Sequence, residues 1–135
     1  HIIPALPAFL DLYPAVRLDL RLTDEVLDLT EGAFDLAVRV AQMPDSALIA
    51  RRLADSRRLV VASPAYLARH GVPDRPEDLA RHRCIVLSGR DRWRFTGPEG
   101  PVTVQVPAGL SITSGEAVRD AAAAGLGIAI QSLWN

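Results

Sequence analysis

Cysteine occurs once in this chain, at Cys84, so no internal disulfide can form. It sits in the strand-like run Cys84-Ile85-Val86-Leu87, where a free cysteine reads as a small buried apolar side chain. A chain with no disulfide suits a reducing compartment, and the cytoplasm is the expected location. Histidine occurs three times, at His1, His70 and His82, with no pair at metal-ligand spacing and no partner cysteine, so no metal site or other cofactor is expected. No apolar run approaches the ~20 residues of a membrane helix. The first residues lack the basic and apolar blocks of a signal peptide. Formal net charge is only −1. Gripping DNA phosphates takes a stripe of Lys or Arg, and here acids match the bases; nor is there a helix-turn-helix, a zinc finger or an aromatic nucleic-acid platform. This chain by itself is therefore not expected to bind DNA. There is no G-x-S-x-G elbow. Gly125-Leu126-Gly127 precedes a strand rather than a helix, which is a tight turn and not a dinucleotide fingerprint. No catalytic activity is expected.

What is present is an alternation of strand and helix patterns. With 135 residues, 49% of them apolar, the chain suffices for one ordinary domain or two small lobes. Apolar residues at Ile2, Ile3, Leu6, Phe9, Leu10 and Tyr13 have helical spacing, with Pro4 and Pro7 tolerable only near the start. Val16, Leu18, Leu20 and Leu22 alternate with polar residues and predict a half-exposed strand. Val26, Leu27 and Leu29 predict a short helix ended by Gly32; Phe34 to Val40, Leu48 to Leu53 and Arg58 to Ala62 predict strands, with a loop at Met43 to Ser46. Ser63-Pro64 starts a helix by a serine cap and a pre-shaped proline, and His70-Gly71 stops it. Pro76 starts a second short helix, Cys84 to Leu87 is a strand, and Trp93 to Val106 is a hairpin turning at Gly97-Pro98-Glu99-Gly100. A strand at Leu110 to Thr113, a helix from about Glu116 to Ala124 and a strand at Gly127 to Gln131 complete the series. Such alternation implies an α/β sandwich with a mostly parallel sheet.

Most polar residues read as structural. Asp24-Glu25 and Glu77-Asp78 lie in first turns of helices, where the dipole favours acids. His70 suits a helix end, and His82 reads as a surface or capping residue. Arg51-Arg52 and Arg57-Arg58 flank Asp55 as a solvated edge, with a partner contact as the alternative. Trp93 and Phe95 share one strand face, for packing or as a cleft wall. Helix starts are the sharper feature, because ligands of open α/β lobes bind beyond strand carboxyl ends against free helix N–H groups. Three such places occur: Thr23 and Asp24, Ser63, and Thr113 with Ser114 and Gly115. Plain capping explains Ser63 and Ser114 without a ligand; contact with a polar ligand group is the alternative.

Val61 to Cys84, VASPAYLARHGVPDRPEDLARHRC, closely resembles a segment of the effector-binding domain of LysR-type transcriptional regulators. Two further stretches agree in order and spacing: Thr30 to Arg39, similar to that family's helix-to-strand passage, and Glu116 to Ala129, similar to its last cleft-facing helix and following strand. The resemblance covers nearly the whole chain. It implies a type II periplasmic-binding-protein-like fold with a ligand cleft between lobes: lobe I at 1–62, incomplete, lobe II at 63–131, and a return toward lobe I beginning at 132–135. It also implies truncation at both ends, the DNA-binding helix-turn-helix domain being absent. The implied effector contacts are Thr23, Asp24, Arg39, Ser63, Ser88, Thr113 and Ser114. The implied partners are a small-molecule effector, with a carboxylate favoured by arginines near the mouth, and a second copy, in a homodimer or homotetramer through the effector domains. The Phe9-Leu10-Tyr13 helix and the Val16–Leu22 strand are the candidates for that interface. DNA would be met only through the missing N-terminal domain. A solute-binding protein of a transporter, on the same fold, is the alternative.

Overall fold

A computed structural model describes residues 2–24, 27, 29, 34–40 and 48–133. A short 3-10 turn, Ile3–Ala5, leads into helix α1, Leu6–Leu12. Pro4 and Pro7 occupy the opening positions of these two elements, where a missing N–H removes no hydrogen bond. Strand β1 (Arg58–Val61) then begins a continuous α/β unit: α2 (Pro64–His70), a 3-10 helix (Pro76–Arg81), β2 (Cys84–Leu87), β3 (Arg92–Gly97), β4 (Gly100–Gln105), β5 (Ala108–Ile112), α3 (Gly115–Ala123) and β6 (Ile128–Ser132).

Four strands form one sheet in the order β1-β6-β2-β5, and β3-β4 is a separate hairpin. The β6–β2 and β2–β5 pairings are parallel, and β1–β6 is antiparallel. The strand period of two divides β2 between two cores. Cys84 and Val86 join Ile128, Tyr66, Leu79, Trp93 and Val106 on one face. Ile85 joins Ala129, Val118, Ala121 and Ala122 on the other. A strand covered on both faces must be apolar throughout, which is why β2 reads Cys-Ile-Val-Leu without alternation. Trp93 and Phe95 pack into the first core, so of their two readings the packing one holds, and the Trp93 indole N–H donates to the Arg90 carbonyl at 3.2 Å.

The local stops and starts behave as their chemistry dictates. Ser63 Oγ accepts from the Tyr66 N–H at 3.2 Å, and α2 ends at Gly71 with φ +82. Gly125, at φ +81, turns the chain from α3 toward β6. Gly127 is required for a different reason: a Cβ there would lie 2.4 Å from the Arg83 carbonyl oxygen, which pairs with the Ile128 N–H at 2.9 Å.

The N-terminal region departs from expectation. Val16–Leu22, Phe34–Val40 and Leu48–Leu53 belong to no strand of the described residues. Alternating side chains supply two faces, but a ladder also needs a neighbouring backbone at about 4.8 Å, and among the described residues none of these three segments takes part in a strand pairing. The expected loop at Met43 to Ser46, and most of the helix expected at Val26 to Leu29 with its stop at Gly32, lie outside the described residues. The Arg21 guanidinium sits 5.4 Å from the centre of the Phe34 ring, linking two of these segments.

Candidate functional site

The start of α3 draws most of the sequence candidates together. β5 ends at Ile112, Thr113 and Ser114 follow, and the helix begins at Gly115. Ser114 is the N-cap and its Oγ accepts from the Ala117 N–H at 3.4 Å. The Gly115 N–H donates to the Asp24 carboxylate at 2.7 Å, across 91 positions of sequence. Asp24 brings Thr23, its neighbour, to the same end of the sheet. Ser88 arrives from β2: its N–H donates to the Ile112 carbonyl at 2.7 Å, and it adopts φ +47, a left-handed conformation unusual for serine. The next residue, Gly89, donates to Ser111 Oγ at 3.1 Å, fixing the β2 exit against the β5 exit.

Gln131 holds this site from beneath. It is buried in β6, and its side-chain amide donates to the Gly115 carbonyl at 3.1 Å. The two peptide groups that flank the Gly115 Cα are thus both held, the preceding one by Asp24 at its N–H and the following one by Gln131 at its carbonyl. In chemical terms the site offers helix-start N–H groups, a serine hydroxyl and a strained loop. Groups of this kind are chemically suited to carboxylates and other hydrogen-bond acceptors.

Ser63 does not join this group. Because β1 runs antiparallel to β6 while β5 and β6 both run parallel to β2, the carboxyl end of β1 lies at the opposite edge of the sheet from that of β5. Ser63 instead neighbours Gly125, past the far end of α3. It lines a mainly apolar hollow of about 460 Å³ with Leu59, Val61, Ala122 and Leu133, and Arg119 at one side. Arg39 is exposed and its guanidinium donates to the Leu27 carbonyl, within the N-terminal region.

Other titratable groups have structural duties. Burial pushes the Cys84 thiol up to about 11, which leaves it inert as a nucleophile. Arg81 and the Arg75 N–H hold the Asp78 carboxyl below the usual carboxylate range. Asp78 caps the 3-10 helix by accepting from the N–H groups of Asp74 and Arg75, each at 3.1 Å. His82 does close that helix, its N–H donating to the Leu79 carbonyl at 3.0 Å, but the ring is buried rather than at the surface. Among the described residues no cluster of three or more His, Cys, Asp or Glu could hold a metal ion, and no helix is long and apolar enough to cross a membrane.

The sequence family described as the LysR substrate binding domain matches residues 1–134. The chain belongs to that family. This LysR substrate-binding domain is 36% identical to the HTH-type transcriptional regulator DmlR of Escherichia coli (strain K12) over 136 residues, covering 98% of the chain and 44% of that protein. It is also 36% identical over 132 residues to the HTH-type transcriptional regulator CrgA of Neisseria meningitidis serogroup C (strain 8013), covering 96% of the chain and 44% of that protein. Solved structures agree. CrgA from Neisseria meningitidis, a LysR-type transcriptional regulator, superposes with a TM-score of 0.80 at 34% identity, over 97% of this chain and 45% of that one. The regulatory domain of AphB in Vibrio vulnificus superposes at 0.78 and 30% identity, over 96% of this chain and 66% of that one. The chain spans less than half the length of the curated relatives it matches. The fold is accordingly the α/β, type II periplasmic-binding-protein-like fold of LysR regulatory domains. Relatives that are HTH-type regulators do not favour the transporter alternative.

Sequence reasoning missed Gln131 in this LysR substrate-binding domain. The signal available was a polar residue at an inward position of an otherwise apolar strand, Ile-Ala-Ile-Gln. It also missed the burial of His82, whose Nδ1 has no hydrogen-bond partner among the described residues.

Proposed function

We propose that this chain is the effector-sensing part of a LysR-type transcriptional regulator. A small molecule is received against the start of α3, with Thr23, Asp24, Ser88, Thr113 and Ser114 around it. A carboxylate is the class that the helix-start N–H groups suit best. The division between the lobes lies near residue 58 rather than after 62, since β1 (Arg58–Val61) pairs with β6 in the second lobe's sheet, and the chain turns back toward the first lobe after β6. The relative shift of the lobes passes through a homodimer or homotetramer to helix-turn-helix domains, in the cytoplasm, with no catalytic step. A ligand moves that balance only by its differential affinity for the two arrangements. Ser63 and Arg39 contribute at most from outside this cluster.

The observation that carries the reading is the convergence on one residue, Gly115, of a buried glutamine from β6 and a carboxylate from the N-terminal region. A thermal-shift screen of metabolite carboxylates on the full-length regulator tests it, since a ligand selective for the native state raises stability. The expected result is at least one compound that raises the midpoint by several degrees. Its effect disappears in Ser114→Asp, which keeps an N-cap but fixes a negative charge at the helix start. Hits undiminished in Ser114→Asp, or no hits at all, overturn the assignment.

A further inference from the structure

We propose that Asp24 is an autoinhibitory latch: its carboxylate occupies the place at the start of α3 that an effector carboxylate must take. The inference rests on the effector reading above and specifies how that site is regulated. Asp24 is not needed as the helix cap, because Ser114 already serves in that role for the Ala117 N–H. It comes from a remote segment and reaches the Gly115 N–H at 2.7 Å. The two sides of this contact differ in stiffness. Gly115 is buried in the first turn of α3, so the helix itself sets the direction of its N–H, and the following peptide's carbonyl is held by the buried Gln131. Asp24 is exposed, in a bend outside any helix or strand, so it is the partner that yields. One N–H has room for one strong acceptor. Latched and ligand-bound states therefore exclude each other, and the apparent affinity for an external carboxylate falls by the fraction of molecules left unlatched. Release of Asp24 also removes a hydrogen bond that ties the N-terminal region to α3, which couples occupancy of the site to the position of that region.

The test uses the 135-residue chain, labelled with ¹⁵N, and acetate as the probe, with ionic strength held constant by sodium chloride. Without acetate, Asp24→Ala is expected to move the Gly115 amide resonance and speed its hydrogen exchange, while the Ile85 and Ala129 amides in the sheet stay unchanged. On titration, the Gly115 amide of Asp24→Ala is expected to report a Kd for acetate roughly tenfold lower than in the unaltered chain, from the loss of one charge-assisted hydrogen bond. Asp24→Asn, which keeps an acceptor but no charge, is expected to fall between. Equal or weaker acetate binding by Asp24→Ala overturns the latch and makes Asp24 an ordinary contact of the site. Absence of acetate binding in both proteins also overturns it, while leaving the regulator reading to stand with an effector that is not a carboxylate.

Discussion

Leu20 and Leu79 are the same residue in two different worlds. Leu79 is 2% exposed in the first core, whereas Leu20 is 50% exposed in a segment that joins no strand pairing among the described residues. The contrast runs along the whole molecule. From Arg58 onward, apolar residues close into two cores around a sheet. Before it, Phe9, Leu10, Leu18, Leu22 and Val38 face solvent. Yet Val16–Leu22 alternates more cleanly than β2 does. An alternating pattern gives a strand its faces but not its neighbours, and burial follows from the neighbours.

The sharpest way to break this comparison is to truncate both leucines. Leu79→Ala is expected to lower unfolding stability by about 2–5 kcal/mol, the range for a buried leucine, and Leu20→Ala by no more than about 0.5 kcal/mol. Urea unfolding followed by tryptophan fluorescence measures both; equal losses would show a further core around Leu20, where the described residues have none. Next in size is a pair of glycines. In Gly127→Ala the new Cβ meets backbone, the Arg83 carbonyl, whereas in Gly109→Ala it meets the Arg83 Cγ at 2.5 Å, which can give way only by a change of rotamer. The first is expected to cost about 1–3 kcal/mol and the second about 0.5–1.5 kcal/mol, read as thermal midpoints by calorimetry. Smaller again is the pair of helix caps. Ser63→Ala removes a 3.2 Å bond and is expected to cost about 1 kcal/mol; Ser114→Ala removes a 3.4 Å bond and is expected to cost nearer 0.5 kcal/mol. A reversed order in denaturant titrations would contradict the geometry of these two starts.

The smallest effect concerns acid. Arg81 and the Arg75 N–H lower the Asp78 carboxyl in the folded chain. A lowered folded value means that the stabilisation is complete above the ordinary carboxylate value and is lost as pH falls through the folded one. Asp78→Asn should therefore flatten the fall in stability below about pH 4 and leave the slope near neutrality unchanged. Because Asp78 contacts an exposed arginine, the change is slight. An identical acid limb in the two proteins would remove Asp78 from the account.

How much of this was legible in the sequence depended on distance along the chain. The α2 segment reads correctly because each of its signals is local: Ser63 caps, Pro64 starts, Gly71 stops. The hairpin, β2 and α3 follow for the same reason. Direction within the sheet is not local. Nothing between Arg58 and Ser63 announces that β1 will lie antiparallel to β6, and that single fact moves Ser63 away from Ser114. The Asp24–Gly115 contact is equally silent, since both residues had adequate local explanations. Gln131 left a trace, a polar side chain in an inward phase, but its partner was a backbone carbonyl no pattern could name.

One feature of β1 and β6 bears on mechanics. Their antiparallel register sets Arg58 opposite Ser132, and the Leu133 N–H donates to the Arg57 carbonyl at 3.0 Å. The incoming and outgoing chains therefore leave the sheet side by side, laced together at the edge. A body hung on two adjoining straps bends about the line through them and resists swivelling.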